Sequence, residues 1–272
     1  MKVDANSPIG VFDSGVGGLT VAHALKQVLP GESMVYFGDT AHLPYGEKSP
    51  EAILHYAEKI TRFLIGQNCK TVVIACNTAS SVAYKQLKAS YGKEVEIVNV
   101  IDPVVDYYLD HHAPGRVGVI GTKATIRSGA YEKKIGAKSP ESEVFSKATP
   151  LLVPMIEEGF IFDDISNAII RAYLSEEPFR SLQALILGCT HYPIIKNQIS
   201  KFYDFSVEIL DSASIVARHV KKLLAEKNLL RKNGSGKDVF YVSDYTPYFE
   251  KISGMFFEDK INLKKLDLWK DE

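Results

Sequence analysis

Short apolar runs alternate with amphipathic stretches along the whole chain. Residues 9–13, Ile-Gly-Val-Phe-Asp, read as a first strand. A glycine-rich turn, Ser14-Gly15-Val16-Gly17-Gly18, leads into a helix over 19–29 that Pro30 stops. Strand 34–38 precedes a polar loop over 39–49 that holds Pro44-Tyr45-Gly46. A helix follows over 50–66, with Pro50 in its first turn. Strand 71–75, helix 79–91, strand 95–101 and helix 103–111 complete a first block.

A second block repeats the alternation. It predicts strand 117–121, helix 122–134, strand 144–148 and two short helices within 155–174 broken at Gly159. Strand 184–187, helix 194–202 and strand 207–210 come next. An amphipathic helix over 212–227, a late strand over 238–242 and a short apolar run in the tail from Phe256 end the chain. Strands spaced by helices of this length indicate βαβ units and parallel sheets. The expected fold is α/β, with two similar domains, each a mostly parallel sheet flanked by helices. Pseudo-two-fold symmetry relates them, and the active site lies in the cleft between. The expected division is 1–98 plus 210–272 for the first domain and 99–209 for the second.

Composition narrows the class. The 272 residues are 46% hydrophobic and 24% charged, ordinary for a globular protein with a proper core. A formal net charge of -1 leaves no footprint for nucleic acid or a membrane surface. The Lys-rich stretch 221–237 reads as a solvated helix end and a loop. Asn233-Gly234-Ser235 matches a glycosylation acceptor by chance, because the N-terminus lacks the apolar core of a signal peptide. A cytoplasmic location is expected. With three cysteines and no CxxC pair, neither a disulfide framework nor a metal site is expected.

Two of those cysteines carry the chemistry. Cys76 ends the run Thr71-Val-Val-Ile-Ala, and Cys189 ends Ala184-Leu-Ile-Leu-Gly. Both fall at the carboxyl end of a buried strand, where open α/β sheets bind ligands, and both open a polar, helix-starting stretch. The echo between Ala-Cys-Asn-Thr and Gly-Cys-Thr-His is the internal repeat of the chain. A thiol has an ordinary pKa of about 8.5, so both protonation states are reachable near neutral pH. A helix N-terminus would stabilise the thiolate. Inverting an α-carbon needs a base on one face and an acid on the other, and two related lobes would supply one thiol to each. A free cysteine is usually a small buried hydrophobe; the polar flanks Asn77, Thr78, Thr190 and His191 favour function here. Cys69 lacks that context and is read as structural.

Other residues stand beside the thiols. His191 is a candidate proton partner of Cys189, or a helix-start histidine bonded to backbone. Asp13 and Ser14 are candidates for holding an ammonium and a carboxylate or for orienting Cys76, with helix capping as the alternative. Pro44, Tyr45 and Gly46 fit a lid or a generic turn. Asn77, Thr78 and Thr190 offer donors for carboxylates. Thr122 fits a cap or a ligand contact. Glu157 reads as an acid early in a helix, or as a partner of His191.

Taken together these residues resemble the glutamate racemase family. The match covers Ile9 to Leu19, Tyr36-Phe-Gly-Asp-Thr40, Pro44-Tyr-Gly46, Ala75-Cys-Asn-Thr78, Val153-Pro-Met-Ile-Glu157 and Gly188-Cys-Thr-His-Tyr-Pro193, in the family's order. The cysteine motifs alone occur across the wider aspartate/glutamate racemase superfamily. The resemblance implies interconversion of L- and D-glutamate without a cofactor, supplying D-glutamate for peptidoglycan. It implies that Cys76 deprotonates D-glutamate, Cys189 deprotonates L-glutamate, Asp13 assists the first thiol, and His191 with Glu157 assists the second. Asp13, Ser14, Pro44, Tyr45, Gly46, Asn77, Thr78, Thr122, Thr190 and His191 match the substrate-binding positions, with Thr125 nearby. A homodimer is implied, and the short N-terminus sets the expectation that a regulatory extension of some members is missing. Three other readings stand: a racemase of aspartate or another amino acid, an amidase using Cys189 as nucleophile with His191, and a two-lobed binding protein without chemistry, against which the paired cysteines argue.

Overall fold

The computed structural model describes residues 3–232, 234, 236–257 and 261–270. Asn233 and Ser235 of the acceptor pattern lie outside the described residues. The first elements are β1 (Ile9–Asp13), α1 (Leu19–Val28), β2 (Met34–Gly38), α2 (Pro50–Gly66), β3 (Thr71–Ile74), α3 (Asn77–Tyr91), β4 (Glu96–Asn99) and α4 (Ile101–His111). There follow β5 (Arg116–Gly121), α5 (Lys123–Ser128), α6 (Ala130–Lys138), β6 (Glu143–Ala148), α7 (Leu152–Glu157), α8 (Asp164–Leu174), β7 (Ala184–Gly188), α9 (Lys196–Phe202) and β8 (Glu208–Asp211). The chain ends with α10 (Ser212–Glu226), β9 (Val239–Val242), α11 (Pro247–Phe256) and β10 (Leu263–Lys265).

Two sheets form, and every strand pair in them is parallel. One has the order β10-β9-β2-β1-β3-β4, the other β6-β5-β7-β8. The run β2-β1-β3-β4 repeats as β6-β5-β7-β8. In each, the first strand is central, the second lies on one side and the third on the other. That reversal opens a crevice at the carboxyl end of the first strand. Strands β1, β2, β3 and β7 are buried at every position, as apolar runs covered by helices on both faces must be. The edge strand β6 is partly exposed throughout.

The structure departs from the expected elements in several places. Helix 122–134 is two helices, because Gly129 takes the left-handed conformation (φ 62°) and ends α5. Strand 95–101 stops at Asn99, whose Oδ1 accepts from the N–H groups of Ile101 and Asp102 and starts α4 early. Residues 192–195 form a 3₁₀ turn before α9. Helix α11 was not anticipated, although Thr246 caps it through Phe249 N–H and Pro247 sits in its first turn. Strand β10 is three residues long and, among the described residues, pairs with β9 alone, so local sequence carries almost no signal for it.

Core packing runs between the lobes as well as within them. Helix α10 lies against α1 and α4, and Leu19, Leu25, Val216, Val220 and Leu224 share one apolar cluster with Tyr192 and Ile195. At the amino ends of the first sheet's strands, Lys70 is buried. Its Nζ donates to Glu32 Oε2 at 2.5 Å and to the carbonyls of Ala5 and Leu229, both at 2.8 Å. Glu32 Oε1 accepts from Arg231 N–H at 2.8 Å. This clasp joins the N-terminal segment to the chain between α10 and β9. Among the described residues no helix is long and apolar enough to cross a membrane.

Candidate active site

The carboxyl ends of β1, β3, β5 and β7 converge on one cavity of about 360 Å³. Ser14 and Gly15 reach it from β1, Cys76, Asn77 and Thr78 from β3, Thr122 and Lys123 from β5, and Gly188 to Tyr192 from β7. Pro44, Tyr45, Gly46 and Glu47 form one wall, and Val153, Pro154 and Glu157 another. Thus Cys76 and Cys189 follow the third strand of their respective sheets and enter the same cavity.

Cys76 caps α3: its Sγ accepts from Ala79 N–H at 3.4 Å and lies 3.7 Å from Ser14 Oγ. Burial pushes its thiol up to about 12, helped by the charge of Asp13; the Ala79 N–H and Ser14 pull the other way. The expected thiolate stabilisation at the helix N-terminus is therefore outweighed by desolvation. Asp13 is wholly buried behind this thiol and is not a cavity wall. Its Oδ2 accepts from Gly15 and Gly18 N–H, each at 3.0 Å, while Oδ1 is buried without a protein partner. Burial raises its pKa above the usual carboxylate value against the opposing pull of His191 and the backbone donors. Gly18 must lack a side chain, since a Cβ there would meet Asp13 Cβ at 2.4 Å.

On the other side, Cys189 Sγ is 3.8 Å from His191 Nδ1, and His191 Nε2 is 2.9 Å from Glu157 Oε1. Adjacent i,i+2 residues thus do face each other, because residues 189–195 leave β7 in turn and 3₁₀ geometry rather than in an α-helix. For the same reason Cys189 has no α-helix N-terminus beside it; α9 begins only at Lys196. Glu157 is the last residue of α7, not an early one. A carboxylate is disfavoured at that end of a helix, and His191 supplies the compensating charge. Burial works against a charged His191, but hydrogen bonds to Cys189 and Glu157 prevail and push it up to about 10. Helix α11 braces this pair: Phe256 packs edge-on against the His191 ring, and Tyr248 Oη donates to Glu157 O at 2.7 Å.

Polar groups fill the rest of the wall. Asn77 Oδ1 accepts from Tyr131 Oη at 2.7 Å, leaving its buried Nδ2 without a protein partner. Thr78 and Thr122 hydroxyls are 2.9 Å apart, bridging the lobes, and Thr125 joins both from behind without lining the cavity. Thr122 also caps α5, so both roles considered for it hold together. Thr190 O accepts from Thr20 Oγ1 at 3.0 Å. A Cβ on Gly17 would meet the His191 ring at 2.4 Å, so the glycine-rich turn serves lobe contact as well as donor geometry. Glu47, Lys123, Thr149 and Tyr192 are wall residues not singled out as ligand contacts in the sequence. Lys123 Nζ and Glu47 Oε1 form a 3.2 Å ion pair across the rim, and Thr149 Oγ1 bonds Tyr192 Oη at 2.7 Å. Charges that meet across lobes leave no local pattern in either segment.

A two-lobed α/β fold with one thiol from each lobe in a shared cavity is the layout of a two-base racemase. The chain belongs to the Asp/Glu/Hydantoin racemase family, whose profile matches residues 18–220, and it is an isomerase of the racemase class. It is similar to the glutamate racemase of Geobacter metallireducens, 42% identical over 254 residues that cover 93% of each chain. The glutamate racemase of Persephonella marina is 40% identical over 262 residues, covering 96% of this chain and 98% of that one. The solved structure of Francisella tularensis glutamate racemase in complex with D-glutamate superposes with a TM-score of 0.91 at 40% identity. That match covers 97% of this chain and 99% of the other.

Proposed function

We propose that this racemase interconverts L- and D-glutamate and so supplies D-glutamate for peptidoglycan. The observation that carries the reading is the shared cavity with Cys76 on one wall and Cys189 on another, each backed by a buried acid–base partner. High identity to glutamate racemases over nearly the full chain supports glutamate as substrate.

In this reading one thiolate removes the α-proton, the electron pair passes into the substrate carboxylate, and the opposite thiol delivers its proton to the other face. Cys76 acts first on D-glutamate and Cys189 first on L-glutamate. A buried thiol with a raised pKa suits the acid role directly. To act as base it needs a nearby positive charge, which the substrate ammonium brings. Asp13, buried outside the cavity wall with its Oδ1 unpartnered, is suited to orient Cys76 rather than to touch the ammonium. His191, held by Glu157, exchanges protons with Cys189. The substrate carboxylates are received by the hydroxyls of Ser14, Thr78, Thr122 and Thr190, by Asn77 Nδ2 and by backbone N–H groups at the start of α3. Pro44, Tyr45 and Gly46 close one side.

The division into lobes follows the sheets. A strand cannot be split between two of them, so we place the crossings after β4 and after β8. A homodimer in the cytoplasm completes the reading. The exposed apolar side chains Leu151, Phe162 and Ile165 beside α7 and α8 support self-association, and three free cysteines suit a reducing compartment. Light scattering on the purified protein and fractionation of the activity test these two points; a monomer, or activity outside the cytoplasm, overturns the corresponding one.

The direct test is a circular-dichroism assay on D- and L-glutamate beside D- and L-aspartate, with no cofactor added, repeated in deuterated water. Both glutamate enantiomers should lose optical activity and gain α-deuterium, with aspartate turning over far more slowly. Aspartate differs by one methylene, a difference of about 1–3 kcal/mol in a pocket. Faster turnover of aspartate, or glutamate that keeps its α-proton, would reject the assignment.

A further inference from the structure

Asp39 is wholly buried, and its carboxylate gathers four side chains, two from its own loop and two from the C-terminal segment. Tyr45 Oη donates to Oδ2 at 2.7 Å, and His42 Nδ1 lies 2.9 and 3.0 Å from the two oxygens. Ser243 Oγ donates to Oδ1 at 2.8 Å, and Trp269 Nε1 donates to the same oxygen at 3.2 Å. Tyr45 belongs to the cavity wall; Ser243 and Trp269 do not. Trp269 stands edge-on to the rings of His42 and Tyr56, at 4.5 and 5.3 Å, and Lys59 Nζ lies 4.9 Å over its ring. The loop after β2 is pinned further to the segment after β9, and Thr40 Oγ1 donates to the Asp244 carbonyl. Ala41 N–H donates to Ser243 Oγ at 2.9 Å, and Asp244 N–H donates to Thr40 Oγ1 at 2.8 Å.

A buried carboxylate is tolerated only while donors surround it. Here the donors are the substrate-facing wall on one side and the C-terminal tail on the other, so losing either shifts the geometry of both. We propose that Asp39 is a positioning residue that couples the C-terminal tail to the substrate wall, and that Trp269 sets substrate affinity without touching substrate. The proposal rests on the reading above that residues 44–46 contact the substrate.

Trp269→Phe keeps an aromatic ring against His42 and Tyr56 and removes the N–H donor together with part of the indole. The Michaelis constants for D- and L-glutamate should rise together, about tenfold, with kcat within about twofold, the signature of lost uniform binding. Trp269 is the one tryptophan of the chain, so its emission reports the same link directly. Tyr45→Phe should shift that emission in the absence of any ligand. Wild-type Michaelis constants in Trp269→Phe, or unchanged emission in Tyr45→Phe, overturns the proposal. A wild-type enzyme inactive on glutamate would instead count against the substrate assignment, and the Tyr45→Phe emission would still decide the coupling.

Discussion

Replacing either active-site thiol by serine is expected to lower racemisation in both directions by about 10²–10⁴-fold, the range a positioned acid or base contributes. Inversion uses both groups in each turnover, so neither direction is spared. A serine hydroxyl matches a thiol in shape but is a far poorer base at neutral pH, which makes the effect chemical rather than steric. The two variants should differ in what survives. Cys189→Ser keeps Cys76, which can still take and return the α-proton of D-glutamate on one face. Slow deuterium entry into D-glutamate without inversion should therefore persist. Cys76→Ser should show the same for L-glutamate. Racemisation assays and mass spectrometry in deuterated water measure both outcomes. Near-normal turnover in either variant defeats the two-thiol scheme, and exchange in the opposite enantiomers reverses the assignment of faces.

Lys70→Met is expected to destabilise the fold by about 3–5 kcal/mol, the usual consequence of stranding one member of a buried ion pair. Both partners are nearly inaccessible, with the Lys70 side chain 0% and the Glu32 side chain 4% exposed. Burial draws the lysine's pKa down and Glu32 pushes it back up. Removing the ammonium leaves the Glu32 carboxylate with the Arg231 N–H as its remaining partner and frees the carbonyls of Ala5 and Leu229. Three chain segments then lose their common anchor. Urea unfolding with a fixed slope measures the loss. Adding Glu32→Leu to Lys70→Met should recover part of it, because the stranded charge is gone. A single-variant loss below about 1 kcal/mol would show the clasp to be dispensable.

How much of the site was legible depended on the range of the signal. Cys76 and Cys189 were found because a strand end followed by a polar stretch is local, and the same local context occurs twice. Thr122, Asn77 and Ser14 were legible for the same reason. Glu157 was placed at the wrong end of its helix: nothing between Val153 and Glu157 shows that α7 begins at Leu152 and ends at Glu157. Its partner His191 comes from a different segment. Helix α11 was missed although its Thr-Pro start was present, and with it the brace behind His191. The break at Gly129 had a local cue, but an apolar pattern running through it masked the left-handed turn.

The order of apolar runs and helical stretches by itself determined the α/β class, the repeated block and the two thiols at strand ends, since burial periodicity and chain order are properties of neighbouring residues. Only tertiary structure decided that β9 pairs with β2 and β10 with β9. It also decided that Glu157 meets His191, that Lys70 meets Glu32, and that the tail reaches Asp39. Those pairings link residues many positions apart, and their energy exists only once water has been excluded between them.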